Sequence, residues 1–506
     1  MIKIIDCGSQ LTQNIARRVR ELGVFTEIVP FHASIDEIKK ENLEGIIISG
    51  GQFSVYDNGS PVCSKEVLNL NIPILGICYG HQLIAHMLGG IVSPTSSREY
   101  GKTKVSLLKQ SPLFSGIRET DFSVWMSHGD IVEQIPPEFK LIAVSENNHV
   151  AAMQGKNRIY SVQFHPEVDH TEHGREILDN FLDICQAARN WDPEKKYDLI
   201  FGELTEKLRG KVGIGGISGG VDSSTVSVLL NKIVGRDYHP IFVDNGLLRM
   251  NEIEQIKEIL DTFRLNINYI DASGRFLSKL RGISNPDKKR EIIGHEFIAV
   301  FEEEARKIPG VSYLVQGTLY PDVIESVPVY GISSKIKRHH NVGGLPEKMN
   351  LEVIEPFREM FKDEVRKIAE HKLGMPKELV WRHPFPGPGL AIRIVGEITP
   401  QKLDMVRQAD AIFIDELKKR NLYYKVSQAF AGLISQSTGV MGDEGTYQGV
   451  IGLRTVTTDD FMTADVYRFD WTDLQAITNR IINEVKGVNM VAYVTSQKPP
   501  STIEWE

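Results

Sequence analysis

At 506 residues the chain is longer than a single hydrophobic core normally grows, and length alone predicts about three domains. Its 41% apolar and 25% charged composition is ordinary for a globular protein, and a formal net charge of −8 excludes a general attraction to nucleic acid polymers or anionic membranes. No apolar run approaches the roughly 20 residues that span a bilayer, and four cysteines (Cys7, Cys63, Cys78, Cys185) are too few for a disulfide framework. A reducing, cytoplasmic setting is therefore expected. The opening MIKIIDCGSQ reads as a strand entering a glycine turn, not as a secretion signal.

From residue 1 to about 185, β-rich runs alternate with helical patterns: IKIID at 2–6, GIIISG at 45–50, IPILGIC at 72–78 and IYSVQF at 159–164. The polar stretch QAARNWDPEKKY between Cys185 and Tyr197 predicts a linker. A second alternation follows, with VGIGGIS as strand and loop, VSVLLNKIV as helix and HPIFVDNG as a strand ending in a turn. Prolines and glycines in HPFPGPGLAIRI break the pattern near 385. Beyond it, helices and strands mix in α+β style. The expected fold class is α/β, with two consecutive α/β domains at 1–189 and 190–385 and a C-terminal α+β domain at 386–506. Internal repeats, low-complexity tracts and heptad runs are absent from the sequence.

In IPILGICYGHQLIAHMLGG, Cys78 lies between an apolar run and an amphipathic helix. Leu83, Ile84, Met87 and Leu88 recur at helical spacing, and Gly89 and Gly90 supply the stop. Gly76 and Gly80 flank the cysteine in the G-x-C-x-G pattern of a nucleophile elbow, a strained strand-to-helix turn that lifts a side chain out of its sheet. The helix N-terminus favours the thiolate, the form that attacks. A buried core cysteine is the commoner fate of a lone cysteine, but the two glycines and the helix reverse that preference. In QFHPEV, Pro166 keeps His165 out of helical geometry. Glu167, two residues further along an extended chain, projects the same way and can orient the imidazole. Gly50 and Gly51 after IIIS can present backbone N–H groups to an oxyanion, although a glycine pair alone is more often only a turn.

GICYGHQ with FHPEV resembles the class I glutamine amidotransferase family over roughly residues 1–185. The resemblance implies a Cys-His-Glu triad that hydrolyses glutamine to glutamate and ammonia. Cys78 is then the nucleophile, His165 the base and Glu167 its orienting partner. Gly50, Gly51, Gln82 and His128 would surround the oxyanion and the bound glutamine.

The stretch GGISGGVDSS, 215–224, has the glycines of a phosphate loop but no lysine, and Asp222 sits inside it. Gly216, Gly219 and Gly220 let backbone N–H groups approach phosphate oxygens, and the Ser218, Ser223 and Ser224 hydroxyls add donors. The helix starting near Ser223 adds its positive end, and Asp222 can bind Mg²⁺ directly or through water. A solvated turn is the plain alternative; the strand before and the helix after weigh against it. SGGVDSS resembles the pyrophosphatase-type loop of the N-type ATP enzymes, which cleave ATP between its α- and β-phosphates and transfer AMP. That resemblance implies ATP binding by Gly216, Ser218, Gly219, Gly220, Val221, Asp222, Ser223 and Ser224, with Val243 and Gly317. It further implies a metal site at Asp222, Asp322 and Asp363, and Lys335 and Lys362 on the pyrophosphate. GISSKIKRHHNVGGL at 331–345 combines glycines with five basic side chains, counting histidines, a composition suited to a lid over phosphates.

FVDNGLLR, QGTLYPDVIES, HHNVGGLP, RHPFPGPGLAIRI and the tail KPPSTIEWE resemble the GMP synthase family along essentially the whole chain. The implied substrates are XMP, ATP with Mg²⁺, and glutamine; no nucleic acid polymer or membrane is involved. Arg281, Lys498 and Glu504 would contact XMP, and residues 386–506 would bind XMP and form a homodimer. The chain departs from the family pattern at Gly445, where an arginine usually precedes the Thr-Tyr pair, in TADVYRFDW, and at Gln52, where proline is common. Another glutamine-dependent ligase with the same ATP loop, such as an NAD synthetase-like enzyme, is disfavoured by the tail and by HHNVGGL. A catalytically silent nucleotide-binding protein is disfavoured by the intact Cys78, His165, Glu167 and loop serines.

Overall fold

The computed structural model describes residues 1–39, 42–326, 351–441, 444–458, 461, 463–498 and 500–506. Lys335 and the 331–345 stretch lie outside the described residues. The chain divides into two compact units, one built on Met1–Asp192, the other on Pro193–Val323 and the C-terminal residues to Glu506. Among the described residues no helix is long and apolar enough to cross a membrane.

The first unit is laid on nine strands: β1 (Ile2–Asp6), β2 (Thr26–Pro30), β3 (Gly45–Ile48), β4 (Ile74–Ile77), β5 (Ile91–Leu107), β6 (Asp121–Gln134), β7 (Lys140–Ser145), β8 (Val150–Gln154) and β9 (Ile159–Val162). Their order is β2-β1-β3-β4-β9-β8-β7-β5-β6. The first five strands of that order run parallel and the remaining pairings are antiparallel. Every residue of β1, β3, β4 and β9 is buried. That is why these segments read as continuous apolar runs: parallel strands are covered on both faces. Helices α1 (Thr12–Glu21), α2 (Ile35–Ile38), α3 (Tyr79–Met87) and α4 (Gly174–Ile184) complete this unit. Because β1 and β2 lie to one side of β3 and β4, the carboxyl ends of the parallel strands open a crevice at the reversal. The linker residues after α4 dock rather than dangle: Trp191 donates its N–H to the Gly23 carbonyl at 2.8 Å, and its ring packs at 4.9 Å from that of Phe25.

The second unit begins with α5 (Pro193–Lys207) and carries the parallel strands β10 (Val212–Gly216), β11 (Tyr238–Asp244), β12 (Asn268–Asp271), β13 (Val311–Val315) and β14 (Glu352–Ile354), ordered β12-β11-β10-β13-β14. Its helices before the C-terminal region are α6 (Val221–Val234), α7 (Glu252–Asp261), α8 (Ser273–Leu280), α9 (Pro286–Ala305), α10 (Tyr320–Ser326), α11 (Lys362–His371) and α12 (Lys377–Val380). Two glycines of β10 have a packing cause. A Cβ on Gly213 would lie 2.0 Å from the Tyr313 ring, and one on Gly215 would lie 2.4 Å from the Tyr238 hydroxyl. Those tyrosines lie across the strand, so only glycine fits beneath them.

The C-terminal elements are α13 (Pro400–Lys419), the long hairpin β15 (Gln428–Met441) and β16 (Glu444–Thr457), β17 (Asp465–Val466), α14 (Trp471–Glu484) and β18 (Val488–Tyr493). β16 pairs antiparallel with β15 and β17 and parallel with β18. One hydrophobic cluster runs from Ile214, Ile241 and Phe276 to Leu390, Phe413, Ile451 and Ile477, so this α+β region and the parallel sheet share a core. Tyr467 and Phe469 of TADVYRFDW pack against it, Phe469 edge-on to Tyr467 and Tyr493 with centroids at 4.9 and 5.4 Å, while Trp471 is exposed. Gly445 has nothing within 4 Å of where a Cβ would sit, so the fold does not require glycine there.

Candidate active sites

Cys78 stands between β4 and α3 with φ 54° and ψ −106°, a conformation that costs a non-glycine residue energy and persists only where the surroundings impose it. They do so tightly. The Cys78 N–H donates to the Val162 carbonyl at 2.9 Å, and the Gly80 N–H to the Ser49 carbonyl at 3.1 Å. A Cβ on Gly76 would meet the Gly80 carbonyl at 2.6 Å, and one on Gly80 would meet the Ile48 carbonyl at 2.3 Å. Gly80→Ala is therefore expected to destabilise the first unit by about 1–3 kcal/mol, as overpacking of a tight site does. A urea denaturation curve reads this as a lower midpoint at constant m-value; an unchanged midpoint contradicts the close approach.

The Cys78 side chain is 4% exposed, and its Sγ faces the Ser127 carbonyl at 3.7 Å. Beyond β9, His165 and Glu167 are buried and joined by a 2.7 Å contact between Nδ1 and Oε1. Pro166 and Glu167 lie in a turn, not in the extended segment expected from the proline, and it is this turn that brings the Glu167 carboxylate back to the ring. Thr171 donates to the His165 carbonyl at 2.6 Å, and the His165 N–H donates to the Trp125 carbonyl at 3.0 Å, so the ring's backbone is held from both sides. Burial alone would lower the His165 pKa. The Glu167 charge and the adjacent Cys78 sulfur outweigh it and hold the imidazole well above its ordinary value. The ring is thus biased toward its cationic form. Gly50 sits among these groups: a Cβ there would lie 3.3 Å from His165 Cε1 and 3.6 Å from Cys78 Cβ. Tyr79 opens α3, so its N–H has no intrahelical acceptor.

The structure brings Cys78, His165, Glu167 and Gly50 together, with Gly51 backed against the Cys7 carbonyl, which a Cβ would meet at 2.7 Å. Gln82 and His128 are engaged differently. Gln82 Nε2 donates to the Asp130 carbonyl at 2.9 Å and to Gln163 Oε1 at 3.1 Å. His128 lies 2.9 Å from Glu99 and 3.0 Å from the Asp130 carbonyl. Both are spent inside a buried polar network. Ser127, Thr171 and Glu99 carry no motif signal; sheet register brings Ser127 and Glu99 to this edge, and the turn after His165 brings Thr171.

In the second unit, residues 216–224 close the turn from β10 into α6, which starts at Val221, two residues earlier than the expected Ser223. Gly219 has φ +75°, and a Cβ on it would strike Ile256 at 2.2 Å, so the turn demands glycine. The Ser218 N–H donates to Ser223 Oγ at 3.2 Å, and the two hydroxyls lie 3.1 Å apart. Ser224 Oγ is buried without a protein partner. Gly317, just past β13, faces the loop: its Cβ would sit 3.4 Å from the Ser223 nitrogen. The loop therefore occupies the reversal of strand order between β10 and β13, where ligands enter open α/β sheets. Val243 is buried near the end of β11.

Lys362 Nζ reaches Asp222 Oδ2 at 3.1 Å, while Asp222 Oδ1 is buried with no hydrogen-bond partner. An unpaired buried carboxylate oxygen beside a phosphate-type loop fits a Mg²⁺ ligand. Asp322 instead accepts the Leu319 N–H at 2.9 Å at the start of α10, and Asp363 lies in the first turn of α11. Among the described residues no three acidic, histidine or cysteine side chains are grouped to hold a metal ion, so the three aspartates do not form a ready-made cluster. Arg281 is exposed after α8. Lys498 donates through Nζ to the Phe461 carbonyl at 2.6 Å. Glu504 accepts two bonds of 3.1 Å from Arg393, a fully buried guanidinium stacked 4.1 Å over Phe430, and a third of 2.8 Å from Gln428.

A strained cysteine and a buried His–Glu pair on a sheet of this order define a class, and residues 3–185 match the glutamine amidotransferase class-I family. Residues 415–505 match the GMP synthase C terminal domain. Along its full length the chain is 51% identical over 507 residues to the GMP synthase (glutamine-hydrolyzing) of Carboxydothermus hydrogenoformans, covering 99% of each chain. It is 52% identical over 513 residues to that of Aquifex aeolicus, covering 100% of this chain and 99% of the relative. The protein belongs to the glutamine-hydrolyzing GMP synthase family.

Proposed function

We propose that the two strand-end sites perform the two halves of one amidation: XMP, ATP, glutamine and water give GMP, AMP, pyrophosphate and glutamate. In the first unit, Cys78 Sγ attacks the glutamine carboxamide. The developing oxyanion is met by backbone N–H groups of the Gly50–Gly51 turn and of Tyr79 at the head of α3. His165, oriented by Glu167, gives its proton to the departing ammonia and then takes one from the water that hydrolyses the thioester. In the second unit, the xanthine 2-oxygen attacks the α-phosphate of ATP, and ammonia displaces the adenylated oxygen. Gly216, Gly219 and Gly220 and the Ser218, Ser223 and Ser224 hydroxyls cradle the phosphates, and Lys362 meets the departing pyrophosphate. Mg²⁺ entering with ATP supplies charge neutralisation there, with Asp222 as the side chain best suited to hold it. Ammonia must cross between the sites without meeting bulk water, which would protonate it.

The observation that carries this reading is the coexistence, in one chain of this family, of the strained Cys78 facing His165–Glu167 and a lysine-free phosphate loop with an unpaired carboxylate oxygen. Lys498 and Arg281 are assigned to the XMP anion, and Glu504 to holding the tail through Arg393. Residues 386–506 are assigned to the homodimer contact. Val440 and Tyr447, 78% and 67% exposed on the β15–β16 hairpin, support a surface for a second copy. Four buried free cysteines support a cytoplasmic setting. The test is AMP release from Mg-ATP with glutamine, with and without XMP. It should depend on XMP and match GMP formed; AMP release indifferent to XMP overturns the acceptor.

A further inference from the structure

The strand β5 is mostly solvent-facing, yet Glu99 within it is buried, and its side chain is 1% exposed. A register irregularity between Pro94 and Glu99 precedes it, the kind of bulge that re-aims a side chain. Glu99 then stands directly opposite His128 on β6. Its Oε1 accepts from Ser145 Oγ at 2.7 Å and Asn147 Nδ2 at 2.8 Å, and its Oε2 lies 2.9 Å from His128 Nε2. The other ring nitrogen, Nδ1, lies 3.0 Å from the Asp130 carbonyl. A carboxylate and a carbonyl are both acceptors, so His128 serves both only by donating from each nitrogen, as an imidazolium.

The remaining groups around the ring agree with that charge. Burial alone would raise the Glu99 carboxyl, but hydrogen bonds from His128, Ser145 and Asn147 hold it down to about 2. Burial, and then the proximity of His128, push His81 on α3 down to about 3, so that ring stays neutral. The His149 ring lies 6.5 Å from that of His128, and its Nδ1 is 3.5 Å from Glu99. The Asp130 carboxylate points away, to Ser54 and Tyr56.

A buried ion pair supplies little net stability, because desolvation offsets the attraction; what it supplies is geometry. The segment it holds is the one whose Ser127 carbonyl faces Cys78 Sγ at 3.7 Å and whose Asp130 carbonyl anchors Gln82. We propose that Glu99 and His128 are positioning residues: a cross-strand charged clamp that fixes the Ser127–Asp130 segment opposite Cys78 and so sets the affinity for glutamine. This rests on the glutaminase reading of Cys78 above. It replaces a direct contact of His128 with glutamine by an action through the backbone.

Glu99→Gln keeps the shape but has one acceptor oxygen for three donors. It should raise the glutamine KM about tenfold or more, the scale of a lost charged hydrogen bond, with a smaller change in kcat. Iodoacetamide alkylation of Cys78 should keep its pH profile, and the ammonia-dependent rate should be retained. His128→Gln, whose single amide nitrogen cannot occupy both the Nδ1 and Nε2 positions, should show the same split. An unchanged glutamine KM in both variants, or a loss confined to kcat, overturns the clamp. In the unaltered protein, nitrogen NMR should find both His128 ring nitrogens protonated, as its two acceptors require; a singly protonated ring overturns the proposal without any variant having to fold. Glutamine turnover surviving Cys78→Ala would instead sink the underlying reading and leave the NMR result standing apart from it.

Discussion

Cys78→Ala should abolish glutamine-dependent GMP formation, by roughly 10⁴-fold or more, as loss of a covalent nucleophile does. Ammonium supplied from solution should still be converted at the unaltered rate. The geometry makes the loss steep, because the neighbours of Cys78 are arranged around the sulfur. His165 is biased toward its cationic form between it and Glu167, and the turn is locked by Gly76 and Gly80. Alanine at this position leaves those neighbours with no atom to act on, and water alone is a poor substitute in a buried site. Alanine meets the same positive-φ penalty at φ 54°, and the same neighbours hold the turn, so the melting temperature should change little. Parallel assays with glutamine and with ammonium decide the matter. Glutamine turnover persisting in the variant would remove Cys78 from the reaction, and a joint loss of both rates would mean that the change acts beyond the first unit.

The second large effect is expected at Asp222. Asp222→Asn should lower glutamine-dependent and ammonia-dependent synthesis alike, by about 10²–10³-fold, the scale of removing one charged stabiliser from a transition state. The carboxylate does two things that an amide cannot. Through Oδ2 it pairs with Lys362 at 3.1 Å, and through the buried, unpartnered Oδ1 it offers a hard anionic oxygen to a cation. In the proposed reaction pyrophosphate leaves from this loop, and an amide nitrogen turned toward a Mg²⁺ there would repel it. Glutamine hydrolysis measured alone, as glutamate released without nucleotide, should keep its basal rate. A variant that loses only the glutamine-dependent rate would contradict the assignment of Asp222 to the nucleotide chemistry. Circular dichroism should be unchanged, because asparagine matches the shape of aspartate in the first turn of α6.

Much of both sites was legible because it is local. The Cys78 elbow, the His165–Glu167 pair and the turn at Gly219–Gly220 are each written within a few residues, and short-range sterics decide them. A left-handed glycine and a proline that bars helix need no tertiary partner to act, although the His165–Glu167 pair meets across a turn and not along an extended chain. The buried parallel strands were equally plain, since burial on both faces writes an uninterrupted apolar run.

What depends on residues meeting from afar was not legible. Gly215 opens the phosphate-loop stretch and Gly213 precedes it in the strand, but both make room for tyrosines, Tyr238 and Tyr313, which come from neighbouring strands. Glu504 reads as a terminal residue free to reach a nucleotide; in the fold it is held by Arg393, 111 positions away in sequence. Glu99 and His128 carry no motif, and a bulge in β5 sets the register that places them face to face. The chain's own letters therefore determined which turns hold the strained cysteine and the glycine loop, because φ/ψ preferences act over a few residues. Only the tertiary structure decided which buried polar groups support those turns, because strand order and register, not sequence separation, determine what a side chain meets.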